Sequence, residues 1–194
     1  MSFFLEHGKK LASPRLSRRE FLGFGALAMV AATLPRTALA RVSDVPETER
    51  SLDFYNIHTG ERLKAMYWVQ GEYMPEPLAD ISLILRDYRA NEVKTIDVRL
   101  LDLLHAIRTK LETRQPFHII SGYRSPATNS LLHRRSNGVA LHSLHMEGKA
   151  VDVRLPDRDL SLLRQVSVAL QGGGVGYYPR SDFVHLDVGR ARLW

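Results

Sequence analysis

The period of the hydrophobic residues changes repeatedly along residues 51–194, and this feature most constrains the fold. Apolar residues recur every three or four positions in three segments, which predicts amphipathic helices over residues 77–89, 97–111 and 160–170. A fourth helix is expected over residues 127–135. Short apolar or alternating runs between these segments predict strands, namely a β-hairpin within 51–73 and single strands at 117–120, 149–155, 175–178 and 183–188.

This order of elements predicts one α+β domain at residues 51–194, with a small, mainly antiparallel sheet and flanking helices. The chain has no cysteine, so neither a disulfide nor a thiolate metal site is available. Hydrophobic residues make up 44% of the chain and charged residues 25%, which indicates a globular protein and not a disordered one. Any transition-metal site must use His, Asp or Glu.

The first forty residues have the three parts of an export signal. A basic region ends in Ser17-Arg18-Arg19-Glu20-Phe21-Leu22, an uncharged stretch follows to Leu34, and Ala38-Leu39-Ala40 forms a cleavage site. The paired arginines resemble the twin-arginine signal. We expect export to the periplasm, with residues 41–50 as a linker. The alternative is an uncleaved inner-membrane tether, although the apolar stretch is shorter than the ~20 residues of a spanning helix.

The net charge of +6 comes mostly from this leader. Residues 1–40 hold six of the 27 basic residues and two of the 21 acidic residues, which leaves 21 basic and 19 acidic residues. A net charge of +2 on the remaining chain gives little reason to expect nucleic-acid binding.

Two short segments carry the residues best suited to chemistry. His145 and Asp152 lie in the first, where a loop feeds a predicted strand, and His185 lies in the second, on a neighbouring predicted strand. Two imidazoles and one carboxylate leave a fourth zinc position free for water, as in catalytic zinc sites. Spacing alone does not establish such a site, because the chain has eight histidines and structural histidines are commoner on small sheets.

The pattern S-x-H-x-x-G-x-A-x-D at residues 143–152, followed by H-x-D at 185–187, resembles the signature of the zinc D-Ala-D-Ala metallopeptidases. This superfamily includes murein endopeptidases and the hedgehog-type zinc domain. The resemblance is closer to the YcbK-like (MepK-type) murein endopeptidases and covers about residues 51–194. It is carried by Asn56-x-His58-Thr59-Gly60-Glu61, Leu85-Arg86-Asp87-x-Arg89, Ser121-Gly122-Tyr123-Arg124-Ser125-Pro126, Gly138-Val139-Ala140 and Val184-His185-x-Asp187.

The resemblance implies a hedgehog / D-Ala-D-Ala peptidase-like fold in which His145, Asp152 and His185 bind zinc. It also implies that Arg124 faces the substrate, where it would stabilise an oxyanion or grip a peptide carboxylate. The alternative for Arg124 is a surface salt bridge.

Asp182 lies three residues before His185, where carboxypeptidase relatives carry a glutamate, so it is the candidate general base. Its alternative is a turn residue that caps Arg180-Ser181. Asp187 would either orient the imidazole of His185 or be a buried structural carboxylate. Ser143 would either cap its loop or hydrogen-bond the Asp152 carboxylate.

Three further features are expected to be secondary. His142 is an alternative ligand, a substrate contact or loop filler, and the last is expected. Arg86, Asp87 and Arg89 are expected to form a structural ion-pair cluster. The glycine-rich run at residues 172–176 follows a helix, so it is expected to run close to a cleft wall and not to bind phosphate.

Together these features predict a monomeric periplasmic zinc endopeptidase that hydrolyses peptidoglycan peptide cross-links after export by the twin-arginine machinery. The alternatives are a zinc-containing peptidoglycan-binding module without turnover, a D,D-carboxypeptidase, and an amidase acting on another wall bond.

Overall fold

A single mixed sheet organises the part of the chain that the computed structural model describes, residues 47–136 and 138–194. Its eight strands are β1 (Glu49–Asn56), β2 (Arg62–Val69), β3 (Glu72–Tyr73), β4 (Phe117–Ser121), β5 (Ala150–Arg154), β6 (Gly174–Tyr178), β7 (Phe183–Asp187) and β8 (Arg192–Leu193). They lie in the order β3-β2-β1-β4-β5-β7-β6-β8. Only β1–β4 and β6–β8 are parallel pairs, so the predicted α+β class with a mainly antiparallel sheet is confirmed.

Four helices accompany this sheet within the described residues: α1 (Pro75–Ile84), α2 (Val98–Lys110), α3 (Pro126–Arg135) and α4 (Leu160–Leu170). Helix α1 packs against β2, α2 packs against β1 and α4, and α4 packs against β6 and β7. None of the helices in these two ranges has the length and apolar character needed to cross a bilayer.

The helix α2 supplies much of the core. Its stripe of leucines is buried, as the periodicity predicts, and Asp97 caps its first turn by accepting a hydrogen bond from the backbone N–H of Arg99. Arg108 and Lys110 in the last turn complement the helix dipole. The stripe packs toward one face of the sheet and leaves the opposite face available for polar residues.

The strands β5 and β7 show this division most clearly. Val151 and Val153 of β5 and Val184 and Leu186 of β7 are fully buried in the core. Because side chains alternate along a strand, the residues between them point to the other face. One of those residues in each strand belongs to the predicted ligand set.

Gly148 turns the chain into β5. It ends a 3₁₀ turn, Leu144–Glu147, in the left-handed conformation with φ of 68°. A Cβ atom on Gly148 would lie 2.4 Å from the carbonyl oxygen of Thr95, and the oxygen of Gly148 accepts a hydrogen bond from the N–H of Asp97. The turn that carries His145 is therefore fixed against the start of α2.

Several boundaries differ from the sequence predictions. Helix α1 ends at Ile84 instead of residue 89, because Asp87 pairs with Glu92 in an isolated bridge that turns the chain. Strand β1 begins at Glu49, inside the predicted linker. The edge strand β3 lies within the predicted strand region 51–73, but as a third strand beyond the hairpin, and the edge strand β8 was not predicted. The predicted signal peptide at 1–40 and residues 41–46 of the linker lie outside the described residues.

Gly148→Ala is expected to destabilise the fold more than Gly60→Ala. Both glycines have positive φ, but a Cβ atom on Gly60 meets nothing within 4 Å, so that variant isolates the backbone cost of about 1–2 kcal/mol. At Gly148 the backbone of Thr95 adds about 1–3 kcal/mol of steric strain. Urea unfolding of both variants in a metal chelator measures the difference. Equal losses would show that the close approach to Thr95 is unimportant.

Candidate metal centre

Three polar atoms converge on the face of the sheet opposite the core. The Nε2 atom of His145 lies 3.2 Å from Oδ1 of Asp152 and 3.2 Å from Nδ1 of His185. The Nδ1 atom of His185 lies 2.8 Å from the same Asp152 oxygen. The structure thus brings together the three residues that the sequence predicts as ligands, and all three are largely buried.

The register of the sheet explains this convergence. Asp152 of β5 lies directly opposite His185 of β7 in the antiparallel pair. His145 comes from the 3₁₀ turn immediately before β5, so it reaches the same point from the end of the strand. A one-residue slip between β5 and β7 would point one of these two side chains into the core.

Each imidazole is oriented by a hydrogen bond on the side away from the cluster. The Nδ1–H of His145 donates to the backbone oxygen of Gly122 at 2.7 Å. The Nε2–H of His185 donates to Oδ2 of Asp187 at 3.1 Å. These partners assign the ring protons and leave His145 Nε2 and His185 Nδ1 as the atoms that can ligate a metal.

The three converging side chains shift one another's pKa values. Burial would raise the pKa of Asp152. The charge interactions and hydrogen bonds with His145 and His185 outweigh burial, and they hold the pKa of Asp152 well below its usual range. Burial lowers the pKa of His145. It would also lower the pKa of His185, but hydrogen bonds to Asp152 and Asp187 raise it instead. A bound metal would require His145 Nε2 and His185 Nδ1 to be free of protons.

Asp187 combines the two roles that were left open for it. Its carboxylate is fully buried and accepts hydrogen bonds from His185, from both Nη atoms of Arg192 at 2.7 and 3.1 Å, and from the backbone N–H groups of Gly174 and Gly189. Burial would raise its pKa, but these donors lower it far below the ordinary value. Asp187 therefore stays ionised and orients the imidazole of His185.

Arg124 binds the second oxygen of Asp152. Its Nη2 donates to Asp152 Oδ2 at 2.6 Å and its Nε donates to Ser121 Oγ at 2.8 Å. The side chain is only 11% exposed, so Arg124 does form a salt bridge, but a largely buried one and not one on the surface. The guanidinium lies at the cluster and also lines the adjoining cavity.

A cavity of about 420 Å³ opens over the three converging side chains. One wall comes from the segment before the 3₁₀ turn and includes Gly138, Val139, Ala140 and His142. The other wall comes from the β6–β7 hairpin and the segment after it, and includes Tyr178, Ser181, Phe183, Arg192 and Trp194. The predicted cluster thus lies at the floor of a cleft large enough for part of a peptide.

Comparison with known proteins agrees with this geometry. A family model described as peptidoglycan L,D-endopeptidase MepK, Peptidase_M15_2, matches residues 44–194. The chain belongs to this family. It is 45% identical to the peptidoglycan L,D-endopeptidase MepK of Escherichia coli (strain K12) over 178 residues, which cover 92% of this chain and 97% of that protein. It is 38% identical to the probable peptidoglycan L,D-endopeptidase MepK of Haemophilus influenzae over 179 residues, 92% and 95% of the two chains.

The chain is therefore a peptidase of the MepK family, as the sequence motifs predicted. Peptidases of this wider M15 class are generally metal-dependent, and the cluster of His145, Asp152 and His185 is compatible with that chemistry. The alternative of a binding module without turnover is disfavoured by this membership.

Ser143 of this MepK-family chain takes the capping role and not the carboxylate contact. Its Oγ accepts a hydrogen bond from the backbone N–H of His145 at 3.4 Å. Asp152, the other partner considered for Ser143, accepts a hydrogen bond from Arg124 at its Oδ2 atom. Ser143 therefore positions a candidate ligand through that ligand's backbone.

Asp182 is not brought into contact with the three converging side chains. It lies in the β6–β7 turn with φ of 54°, and its carboxylate accepts a hydrogen bond from Nη1 of Arg154 at 2.7 Å. The side chain is 62% exposed and is absent from the described residues that line the cavity. Any role for Asp182 in catalysis requires its ion pair with Arg154 to open.

Sequence reasoning missed the aromatic and cationic wall formed by Tyr178, Phe183, Arg192 and Trp194. Only the glycine-rich run gave a signal, since the ring of Trp194 packs over Gly176. These residues approach the cluster through strand pairing, so spacing along the chain does not reveal them.

Asp87 anchors the loop that carries Arg124. It is buried, and its oxygens accept hydrogen bonds from the backbone N–H groups of Ser125 at 2.9 Å and Arg89 at 3.0 Å. The expected ion pairs with Arg86 and Arg89 are wrong, because Arg86 binds Glu61 and Asp87 binds backbone groups. Burial would raise the pKa of Asp87, but hydrogen bonds from Thr128 and Ser125 outweigh burial and lower it.

Asp87→Asn is expected to lower the free energy of unfolding by about 1–3 kcal/mol at neutral pH, because an amide cannot accept all of these hydrogen bonds. The folded pKa of Asp87 lies below its unfolded value of about 3.9, so its contribution is complete above that pH and is lost as the pH falls further. Urea unfolding between about pH 7 and pH 3 in chelator measures this. A difference between wild type and variant that stays constant to the lowest pH would contradict it.

Proposed function

We propose that this peptidase is a zinc-dependent peptidoglycan endopeptidase that hydrolyses peptide cross-links of the bacterial cell wall. The observation that carries the proposal is the convergence of His145 Nε2, Asp152 Oδ1 and His185 Nδ1 beneath a cleft. Similarity to proteins named peptidoglycan L,D-endopeptidases supports both the substrate and an L,D bond.

The donor set favours zinc. Two imidazole nitrogens and one carboxylate oxygen form a common catalytic zinc site, in which a fourth position stays open. Zinc, when bound, would activate a water molecule and polarise the scissile carbonyl. The residues around it do the positioning, since Gly122 and Asp187 hold the two rings and Arg124 holds Asp152.

Arg124 is the group that would stabilise developing negative charge. Its guanidinium lies at the cavity floor beside Asp152 and is mostly shielded from solvent. A fixed positive charge in such a site stabilises an oxyanion more strongly than it would in water. Arg124 also holds Asp152 through a charge-assisted hydrogen bond. A substrate that contacts Arg124 would therefore also affect the position of this candidate metal ligand.

The location that fits this substrate is the periplasm, reached through the twin-arginine pathway. The support is the order of basic region, uncharged stretch and cleavage site in residues 1–40. Cell fractionation tests the location, and full-length chain in the inner membrane would select the tethered alternative.

His145→Ala and His185→Ala are expected to abolish cleavage of purified cell-wall sacculi and to lose bound zinc, which wild type should hold at about one ion per chain. Chelation of the wild type should abolish activity, and added zinc should restore it. His105→Ala is the matched control, because His105 lies on α2 away from the cavity lining. Activity is read by mass spectrometry of the released muropeptides.

The product masses in this experiment also identify the bond. L,D-endopeptidase products would support the proposal, whereas release of a terminal D-alanine alone would select the carboxypeptidase and separation of peptide from sugar would select the amidase. Full activity of chelated protein or of His145→Ala would overturn zinc dependence.

Asp182 remains our candidate for the proton shuttle. If it has this role, Asp182→Asn should lower kcat about 100-fold or more. Arg154→Gln should lower kcat far less, because it breaks the same ion pair but keeps the carboxylate. Steady-state kinetics on a defined cross-linked muropeptide separate the two. Small and equal losses would assign Asp182 to the ion pair of the turn.

A further inference from the structure

The indole ring of Trp194 forms part of the cavity wall next to a candidate metal ligand. Its centroid lies 5.2 Å from that of the His185 imidazole. The residue is 47% exposed, so one part of the ring packs on the protein and another part remains accessible to a ligand. Neither the motifs nor the donor set assigns any role to this side chain.

The space for the indole exists because residue 176 is glycine. Gly176 of β6 lies opposite His185 in the β6–β7 register. A Cβ atom on Gly176 would lie 2.7 Å from Cε2 of Trp194. The ring therefore packs directly on the backbone of Gly176, next to the three converging side chains.

Polar contacts fix the orientation of the ring. The Nε1–H of Trp194 donates to the hydroxyl oxygen of Tyr178 at 2.7 Å. The backbone of Trp194 pairs with β6, accepting a hydrogen bond from the N–H of Tyr177 at 3.0 Å and donating to the oxygen of Val175 at 3.3 Å. The wall is thus ordered before any substrate binds.

The guanidinium of Arg192, which is paired with Asp187, also packs against the indole ring. The guanidinium of Arg192 lies 4.7 Å from the indole centroid, and the same group binds Asp187, which orients His185. The phenol of Tyr178, which accepts from the indole, stacks on Phe183 at 4.6 Å between centroids. Trp194, Tyr178 and Phe183 thus form one aromatic wall of the cavity.

We propose that Trp194 is a specificity-determining residue whose indole face packs against an aliphatic side chain of the peptide next to the scissile bond. The cavity lining joins the polar side chains of Asp152, His185 and Arg124 to the exposed ring of Trp194, so a peptide whose carbonyl lies at the polar cluster would place a neighbouring aliphatic side chain against the indole. A preordered indole contributes contact area at little entropic cost. This inference rests on the proposed function for the identity of the peptide.

Binding is tested by fluorescence, because the chain has only two tryptophans, Trp68 and Trp194. In a Trp68→Phe chain the tryptophan emission comes from Trp194 alone. A cross-linked muropeptide titrated into the Trp68→Phe/His145→Ala chain, which should not cleave it, is expected to shift or quench this emission saturably. Binding seen by calorimetry without any change in emission would overturn the proposal.

Kinetics test the specificity role. Trp194→Ala and Gly176→Ala are each expected to raise KM about tenfold, since an aromatic contact of this kind contributes up to about that factor. The value of kcat and the zinc content should stay close to those of wild type. Trp68→Phe is the matched control. Unchanged KM, or a parallel loss of kcat, zinc and thermal stability, would assign Trp194 a structural role only.

The two arms separate this inference from the proposed function. If wild type fails to cleave sacculi, the endopeptidase proposal fails, while the fluorescence titration still reports whether the peptide contacts Trp194. If wild type cleaves and Trp194→Ala has wild-type kinetics, only the role of Trp194 is overturned.

Discussion

The antiparallel register of β5 and β7 is the constraint on which the rest of the site depends. It sets Asp152 opposite His185 while Val151, Val153, Val184 and Leu186 fill the core from the other face. Side chains alternate between the two faces of a strand, so the register that buries the apolar residues also brings Asp152 and His185 together on the other face. Burial of the aliphatic residues thus supplies the free energy that holds two polar groups at contact distance.

The buried carboxylates around strands β5 and β7 are stabilised by hydrogen-bond donors of the protein and not by solvent. Asp152 is shared between the imidazoles and Arg124, Asp187 between His185 and Arg192, and Asp87 binds backbone N–H groups. A buried charge is tolerated only when its partners satisfy it, so these contacts also fix geometry. The same contacts that stabilise the fold therefore orient the candidate ligands and Arg124.

The proposed function combines the family membership with the geometry of the candidate site. Membership of the MepK family makes the chain a peptidase, and the cluster with its open cleft gives that activity a place in the fold. The aromatic residues Tyr178, Phe183 and Trp194 and the segment at residues 138–140 also line this cleft. Substrate choice would then depend on residues outside the metal signature.

Sequence alone determined which residue types could serve as metal ligands, most of the local elements, and the family. The lack of cysteine limited metal ligands to His, Asp and Glu, the periodicity located α2 and α4 within a residue or two, and ordered motifs singled out His145, Asp152 and His185. These are properties of neighbours along the chain, which a pattern can record.

Tertiary structure alone decided how those side chains are used. It placed Arg124 on Asp152, paired Asp182 with Arg154 outside the cavity lining, and laid Trp194 over Gly176. Each of these contacts joins residues on different strands or turns, and its geometry is set by strand order and register. Sequence spacing carries no information on which distant strands pair, so only the folded sheet could show them.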